Sequence, residues 1–156
     1  SIAKYSRISL FLVFLMAIGA LFFIKPIIGL LYGQAFLVSV KPIILLLPGL
    51  IAFSIAIVLG QYFFSIGYPV KLTICWFLVA VLNIVLNFIY IPQYGMIAAA
   101  LSSTVSYILA LCFHYYFFNK ETGLGFYDVF VPRKDEIKGI FRRVNGFLRK
   151  NIKNNV

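Results

Sequence analysis

The stretch that decides the fold is LTICWFLVAVLNIVLNFIYIPQYGMIAAALSSTVSYILALCFHYYFF, residues 72–118. It contains no aspartate, glutamate, lysine or arginine. A helix that crosses the hydrocarbon core of a bilayer needs about 20 mostly apolar residues, and this stretch is more than twice that length. The sequence therefore predicts that the chain crosses the membrane over 72–91, turns at Pro92–Tyr94 and returns over 95–118.

Two further apolar runs precede this pair of spans. The first covers residues 8–24 and is expected to end at Pro26, because proline interrupts regular helix. The second covers residues 42–64 and is expected to kink at Pro48. The predicted fold is therefore all-α, a polytopic transmembrane bundle with four spans in residues 1–118.

The composition agrees with a membrane protein. Of the 156 residues, 63% are hydrophobic and 12% are charged, whereas about a quarter of the residues in soluble domains are charged. All four acidic residues lie beyond position 120. The spans therefore lack the carboxylates on which intramembrane hydrolases depend. We expect no enzymatic activity, no cofactor and no metal.

Positive charge is concentrated near the C-terminus. Of the 14 lysines and arginines, nine lie in residues 120–153, two precede the first span and one is Lys71, while Lys25 and Lys41 fall in the outer loop. The positive-inside rule then places both ends of the segment in the cytoplasm. The net charge of +10 does not lead us to expect nucleic-acid binding. A nucleic-acid-binding protein presents its basic residues on a water-exposed surface, and little such surface is available here.

Residues 119–156 are predicted to form a basic cytoplasmic tail. Its apolar residues recur at spacings of three and four, which is typical of an amphipathic helix, over about residues 135–150. Such a helix lies on anionic membrane lipids or packs against the loops of the bundle, and the sequence leaves both open. The interfacial basic residues of this tail are Lys138, Arg142, Arg143, Arg149 and Lys150.

Polar side chains are costly in hydrocarbon, so their positions indicate the interior of the bundle. Asn83 and Asn87 are one helical turn apart on the third span, and Gln61 shares a face of the second span with Ser54 and Ser65. Gln61, Asn83 and Asn87 are candidates for lining a hydrated substrate pathway, and interhelical hydrogen bonds are an equal alternative for them. For Ser54 and Ser65 we predict interhelical hydrogen bonds.

Small residues recur at every fourth position of the fourth span, where they allow helix backbones to approach closely. We predict that both of the resulting rows serve helix packing. The first row is Gly95, Ala99 and Ser103, and the second is Ala98, Ser102, Ser106 and Ala110.

Three reactive side chains in the spans are given structural interpretations. His114 lies beside Tyr115 and Tyr116, so we interpret it as an anchor in an aromatic-rich interface. Cys75 and Cys112 have neither a pairing nor a metal-ligand spacing, and we interpret them as buried apolar thiols.

The tetrapeptide Lys-Pro-Ile-Ile occurs at 25–28 and again at 41–44, on either side of the first outer loop. Both lysines are expected at the outer mouth of the bundle. Lys25 and Lys41 are candidates for attracting an anionic head group such as a diphosphate. The alternative is that they are anchors whose ammonium groups reach the head-group region.

Three segments together resemble the C-terminal part of bacterial polysaccharide or oligosaccharide flippases. They are LLYGQAF at 30–36, NIVLNFIYIPQYGMIAAA at 83–100, and FVPRKD at 130–135. The middle segment is the most specific of the three. The resemblance covers nearly the whole chain and extends to a superfamily that also contains multidrug extruders and the peptidoglycan-precursor flippase.

The resemblance implies a transporter of the bacterial inner membrane in which two helical bundles alternate access to a central cavity. The chain would supply the last four spans, with the remaining spans as partners and a polysaccharide polymerase as a further candidate partner. The implied substrate is an undecaprenyl-diphosphate-linked oligosaccharide repeat unit, moved outward for O-antigen, capsule or exopolysaccharide synthesis. In this hypothesis the three amides contact sugar hydroxyls, and Lys71 joins Lys25 and Lys41 in attracting the diphosphate.

Two alternatives stay open at this point. One is a cation-coupled multidrug exporter of the same superfamily, which would need a membrane-embedded carboxylate outside this segment. The other is a stand-alone four-span scaffold that organises envelope synthesis. The chain begins with Ser1 and not with methionine, and we therefore expect a fragment of a longer protein.

Overall fold

The computed structural model of the chain describes residues 2–67 and 70–131, together with Gly139. These residues form helices, turns and bends, with no strand among them. Within residues 2–67 and 70–131, five α-helices and one 3₁₀ helix, at Gln34–Ser39, follow one another. The α-helices are α1 (Ile2–Leu31), α2 (Val40–Ser65), α3 (Val70–Tyr94), α4 (Met96–Thr122) and α5 (Phe126–Phe130).

Four spans are confirmed. Each of α1 to α4 is long and apolar enough to cross a membrane, and they are the four such helices in the part of the chain that the structure describes. Hydrocarbon offers no hydrogen bonds to the backbone, so a spanning segment must satisfy its own N–H and C=O groups, as a helix does. The chain is thus a multi-pass membrane protein.

Two prolines do not end their helices as the sequence predicted. Helix α1 continues through Pro26 to Leu31, and α3 continues through Pro92 to Tyr94. The chain instead reverses at Gly95, whose φ of 57° suits glycine because it has no Cβ. Spanning helices tolerate proline when neighbouring groups satisfy the backbone carbonyl that proline leaves without a donor.

Helix α2 is the centre of the bundle. It packs against α1 and α4, and α4 also packs against α3. A third of the most apolar stretch of α2 is buried, whereas none of the corresponding stretch of α1 is. The core cluster consists of Ile55, Leu59, Phe63, Leu72, Phe118 and Val129.

Helices α2 and α4 approach each other closely at Gly49. A Cβ placed on Gly49 would lie 2.7 Å from the Cα of Thr104. The hydroxyl of Thr104 donates a hydrogen bond to the carbonyl of Leu45, at 2.8 Å. Pro48 has no N–H and cannot donate a hydrogen bond to the preceding turn of α2. The threonine hydroxyl supplies a donor next to this missing hydrogen bond. A glycine and a threonine thus join the two helices at the proline.

At the other end of the bundle, α5 is tied to the start of α1. The guanidinium of Arg7, which is 5% exposed, donates a hydrogen bond to the backbone carbonyl of Asp128. The N-terminus, the connection between α2 and α3, and α5 therefore lie at one end, which we call the α5 end. The other end, with the 3₁₀ helix and Gly95, is called the Gly95 end.

The two rows of small residues on α4 differ in their surroundings. Ala98, Ser102, Ser106 and Ala110 are all buried. In the other row, Gly95 lies outside α4 as its N-cap, and a Cβ added there would have no atom within 4 Å. Gly95 therefore provides the turn and not the packing contact that the sequence predicted. Ala99 and Ser103 are half-buried and line a groove of about 260 Å³ with the start of α2.

Replacing Gly49 by alanine is expected to destabilise the bundle by about 1–3 kcal/mol, the usual cost of adding a methylene to a tightly packed contact. The new methyl meets the backbone of Thr104, which cannot move without moving α4. Unfolding of the detergent-solubilised protein by denaturant measures this change. Gly19→Ala is the matched control, because Gly19 is also within a spanning helix and its added Cβ meets nothing within 4 Å. Equal stability of the two variants would contradict the close contact.

Candidate functional site

The asparagine pair of α3 is hydrogen-bonded to α4. The amide nitrogen of Asn87 donates to Oδ1 of Asn83 at 3.0 Å, and the hydroxyl of Ser102 donates to Oδ1 of Asn87. Ser102 also lies 2.6 Å from the carbonyl of Ala98 in its own helix. A hydroxyl has one proton to donate, so the bond to Asn87 competes with the bond to Ala98. The hydroxyl of Ser102 can therefore exchange one acceptor for the other, which makes the hydrogen bond between α3 and α4 exchangeable.

Asn83 keeps hydrogen-bonding capacity for another molecule. Its Oδ1 accepts from Asn87, while its own amide nitrogen has no partner among the residues that the structure describes. Asn83 and Asn87 are both only half-buried. A primary amide carries two N–H donors, which suits the hydroxyl groups of a sugar. The pair thus combines an interhelical hydrogen bond with free N–H donors. Lining a substrate pathway and holding two helices together are therefore compatible roles for Asn83 and Asn87.

Two apolar grooves flank the Asn87–Ser102 contact. One, of about 310 Å³, lies between α3 and α4 and includes Ser102 in its lining, together with Tyr90, Tyr94 and Leu101. The other, of about 530 Å³, is more open and includes Asn87. Both grooves lie toward the Gly95 end. The polar contact therefore sits in an otherwise apolar surface that suits hydrocarbon chains.

Gln61 does not join the asparagine pair. It is exposed on α2, and a Cβ added to its neighbour Gly60 would lie 3.7 Å from the ring of His114 on α4. Along α4, His114 and Ser102 are separated by roughly 18 Å at 1.5 Å per residue. Gln61 and the asparagine pair therefore stand at different depths of the bundle, and one sugar ring cannot contact both.

The prediction for Ser54 and Ser65 is wrong. The hydroxyl of Ser54 donates to the carbonyl of Ile51 at 2.8 Å, and that of Ser65 donates to the carbonyl of Tyr62 at 2.6 Å. Both bonds stay within α2. A serine hydroxyl can reach a carbonyl one turn earlier in its own helix, so a polar row need not indicate contact with another helix.

The three candidate lysines are exposed and lie at both ends of the bundle. Lys25, in the last part of α1, and Lys41, at the start of α2, are at the Gly95 end, while Lys71, in the first turn of α3, is at the α5 end. Their attraction for a diphosphate stays a prediction. The basic helix predicted at about 135–150, with Lys138, Arg142, Arg143, Arg149 and Lys150, lies outside the described residues.

His114 is not an interfacial anchor. It is 1% exposed, and its ring packs edge-on against that of Trp76 with 5.0 Å between centroids. The ring of Phe53 on α2 contacts those of Trp76 and Tyr107, with 5.8 and 4.7 Å between centroids. The histidine therefore belongs to an aromatic cluster between α2, α3 and α4. The cysteine interpretation holds for Cys75, which is buried, and is wrong for Cys112, which is exposed.

Three residues that form hydrogen bonds between elements, Ser102, Thr104 and Arg7, were not identified as site residues from the sequence. Ser102 was placed in a packing row, and its bond to Asn87 depends on the register of α3 against α4. Thr104 and Arg7 carried no signal beyond their polarity within or beside a span. Among the described residues, no three histidine, cysteine or acidic side chains lie together as a metal site requires.

Comparison with known proteins identifies the class. The family model described as lipid II flippase MurJ matches residues 1–138. The probable low-salt glycan biosynthesis flippase Agl15 of Haloferax volcanii is 25% identical over 118 residues, which are 76% of this chain. The chain spans about a quarter of the length of that curated relative. No solved structure matches the chain.

Proposed function

Since the chain belongs to the lipid II flippase MurJ family, we propose that it forms part of a transporter that carries a lipid-linked oligosaccharide across the plasma membrane. The observation that carries this proposal is the family match over residues 1–138. The relative from Haloferax volcanii, named as a glycan biosynthesis flippase, supports the same class. Members of these families are transporters and not enzymes. Both matches favour a flippase over a multidrug exporter or a stand-alone scaffold.

The proposed cargo is an undecaprenyl-diphosphate-linked repeat unit used for O-antigen, capsule or exopolysaccharide. Such a molecule has a polar sugar, a charged diphosphate and a long hydrocarbon tail. The sugar travels in a hydrated cavity and the tail stays in the lipid. This division suits α3, because its amides lie beside apolar grooves.

In this mechanism the side chains act in sequence along the membrane normal. Asn83 and Asn87 donate to sugar hydroxyls in the half of the bundle near Gly95, and Gln61 does so near the α5 end. Their different depths match a cargo that moves past them. Lys71 at one mouth, with Lys25 and Lys41 at the other, attracts the diphosphate through its negative charge.

The chain acts together with further spans in this proposal. The most apolar stretch of α1 has no buried residue, and Phe22, Leu30 and Leu31 of this helix are among its most exposed side chains. Alternating access requires a second bundle against which this one rocks. We assign the second bundle to other spans of the same transporter, and keep a polysaccharide polymerase as a candidate partner.

Both ends of the segment are assigned to the cytoplasm by the distribution of lysine and arginine. The α5 end then faces the cytoplasm and the Gly95 end faces outward. The tail beyond residue 131 would reach anionic lipids of the cytoplasmic leaflet, each basic residue contributing about 1 kcal/mol near the surface.

Depleting the full-length protein is expected to trap the lipid-linked repeat unit in the inner leaflet. The measurement is the fraction of this glycolipid that an externally added, impermeant glycosidase cleaves in spheroplasts. A several-fold fall in the cleaved fraction, restored by re-expression, supports the proposal. A fall for lipid II with no change for the repeat unit would assign lipid II as the cargo. No change for either lipid would contradict the flippase function.

Replacing Asn83 by alanine is expected to lower the flipping rate several-fold at unchanged protein abundance, because it removes the free amide donors. The same spheroplast assay measures it. Ser102→Ala is the matched control, since it removes the hydrogen bond between α3 and α4 but leaves both amides in place. If Ser102→Ala lowers the rate as much as Asn83→Ala, the asparagines serve packing and not the cargo.

The assigned orientation predicts opposite labelling of two single-cysteine variants of the full-length protein. A cysteine in place of Lys71 should react with an impermeant maleimide only after the membrane is opened, because it lies at the α5 end. A cysteine in place of Gln34, which is exposed at the Gly95 end, should react in intact cells. The reverse pattern would invert the topology.

A further inference from the structure

One nitrogen of the buried His114 has no hydrogen-bond partner among the residues that the structure describes. Its Nδ1 lies 2.8 Å from the carbonyl of Ala110, one turn earlier in α4. A carbonyl can only accept, so Nδ1 carries the proton and the ring is held in one tautomer. Nε2 is then an unprotonated acceptor. It is buried, and no group in the described part of the chain donates to it.

The surroundings of Nε2 are apolar on the two neighbouring helices. A Cβ added to Gly60 of α2 would lie 3.7 Å from both Nε2 and Cδ2, so the glycine leaves room for this edge of the ring. The ring of Trp76 on α3 covers another side. The histidine thus fills the place where α2, α3 and α4 meet, in the half of the bundle toward α5.

No negative charge on these helices can balance a charged histidine. Residues 1–120 contain no acidic side chain, and Glu121 is two turns beyond His114 at the end of α4. Arg7 near the start of α1 adds positive charge, and Asp128 of α5 lies beside Arg7. The titratable groups on the three helices are Lys41 and Tyr62 on α2, Lys71, Cys75, Tyr90 and Tyr94 on α3, and Tyr107, Cys112, Tyr115, Tyr116, Lys120 and Glu121 on α4.

We propose that His114 is a proton-binding site whose occupation separates α2 and α3 from α4 at this level. Burying an unpaired charge in an apolar contact is very costly, so the packed arrangement accepts only the neutral ring. When the helices part, water reaches Nε2, and a hydrated imidazole binds a proton between pH 5 and 8. A ligand favours the state that binds it better. The proton therefore favours the open arrangement at low pH, and its release restores the packed one.

This site acts on the conformation of the bundle and does not depend on the identity of the cargo. The row that ends in His114 has small residues at Ala98, Ser102, Ser106 and Ala110, all buried. A row of small side chains holds two helices together by close approach, without large interlocking groups.

The chain contains a reporter for this opening. Cys75 adjoins Trp76 on the buried face of α3, with Leu72 and Val79. Its thiol reacts with a maleimide only when that face becomes accessible. The experiment uses the full-length protein with Cys75 as its sole cysteine, and measures the rate of labelling by N-ethylmaleimide at several values between pH 5.5 and 7.5.

His114→Asn is the matched variant, since the asparagine amide can still donate to the Ala110 carbonyl but cannot bind a proton. The reactivity of the thiol itself changes with pH in both proteins and cancels in the ratio of their rates. This ratio is the labelling rate of the protein that retains His114 divided by the labelling rate of the His114→Asn variant. We expect it to rise at least threefold as the pH falls from 7.5 to 5.5. His114→Leu, which is apolar, provides the same comparison if His114→Asn does not fold.

Two results would overturn the proposal. A ratio that stays constant with pH would show that protonation of His114 does not open the contact. If His114→Asn and His114→Leu are both labelled faster than the protein that retains His114 at every pH, the histidine holds the helices together by packing alone. Because no cargo is present in this assay, a failure here leaves the flippase proposal to its own test.

Discussion

The contact between Gly49 and Thr104 sets the position of α4 against α2, and with it the side chains that α4 presents to its neighbours. Backbone groups in hydrocarbon must find partners within the protein. The proline at position 48 removes one donor from α2, and Thr104 donates to the adjacent carbonyl of Leu45. Because the glycine lets the backbones approach, this hydrogen bond forms at 2.8 Å. The register of the two helices is therefore fixed near their Gly95 end.

With α4 placed in this way, one row along it serves two neighbouring helices. Ser102 of this row donates to Asn87 of α3. The ring of His114 packs against Trp76 of α3 and lies 3.7 Å from where a Cβ on Gly60 of α2 would be. Between them lie Ser106 and Ala110, which are small and buried. The row thus combines an exchangeable polar contact near one face of the membrane with a buried acceptor nearer the other. Both features would suit a bundle that changes its packing in the proposed transporter.

Part of the candidate site follows directly from residue spacing. Asn83 and Asn87 are four residues apart, so they must meet on one face of a helix, and they do. Spacing does not tell whether a serine donates within its helix or across to another, and the predictions for Ser54 and Ser65 were wrong for this reason. Spacing also does not show depth, and Gln61 proved to lie far from the asparagine pair along the membrane normal.

The sequence by itself determined that four helices cross the bilayer, because apolar length and the absence of charge leave a chain no other way to satisfy its backbone in hydrocarbon. Only the tertiary structure decided where those helices end and which of their sides are covered. Pro26 and Pro92 lie within helices, because a proline removes one hydrogen bond from a spanning helix and does not by itself end it. His114 is buried because α2 has a glycine and α3 a tryptophan at its level, a coincidence of three distant residues that no local pattern reveals.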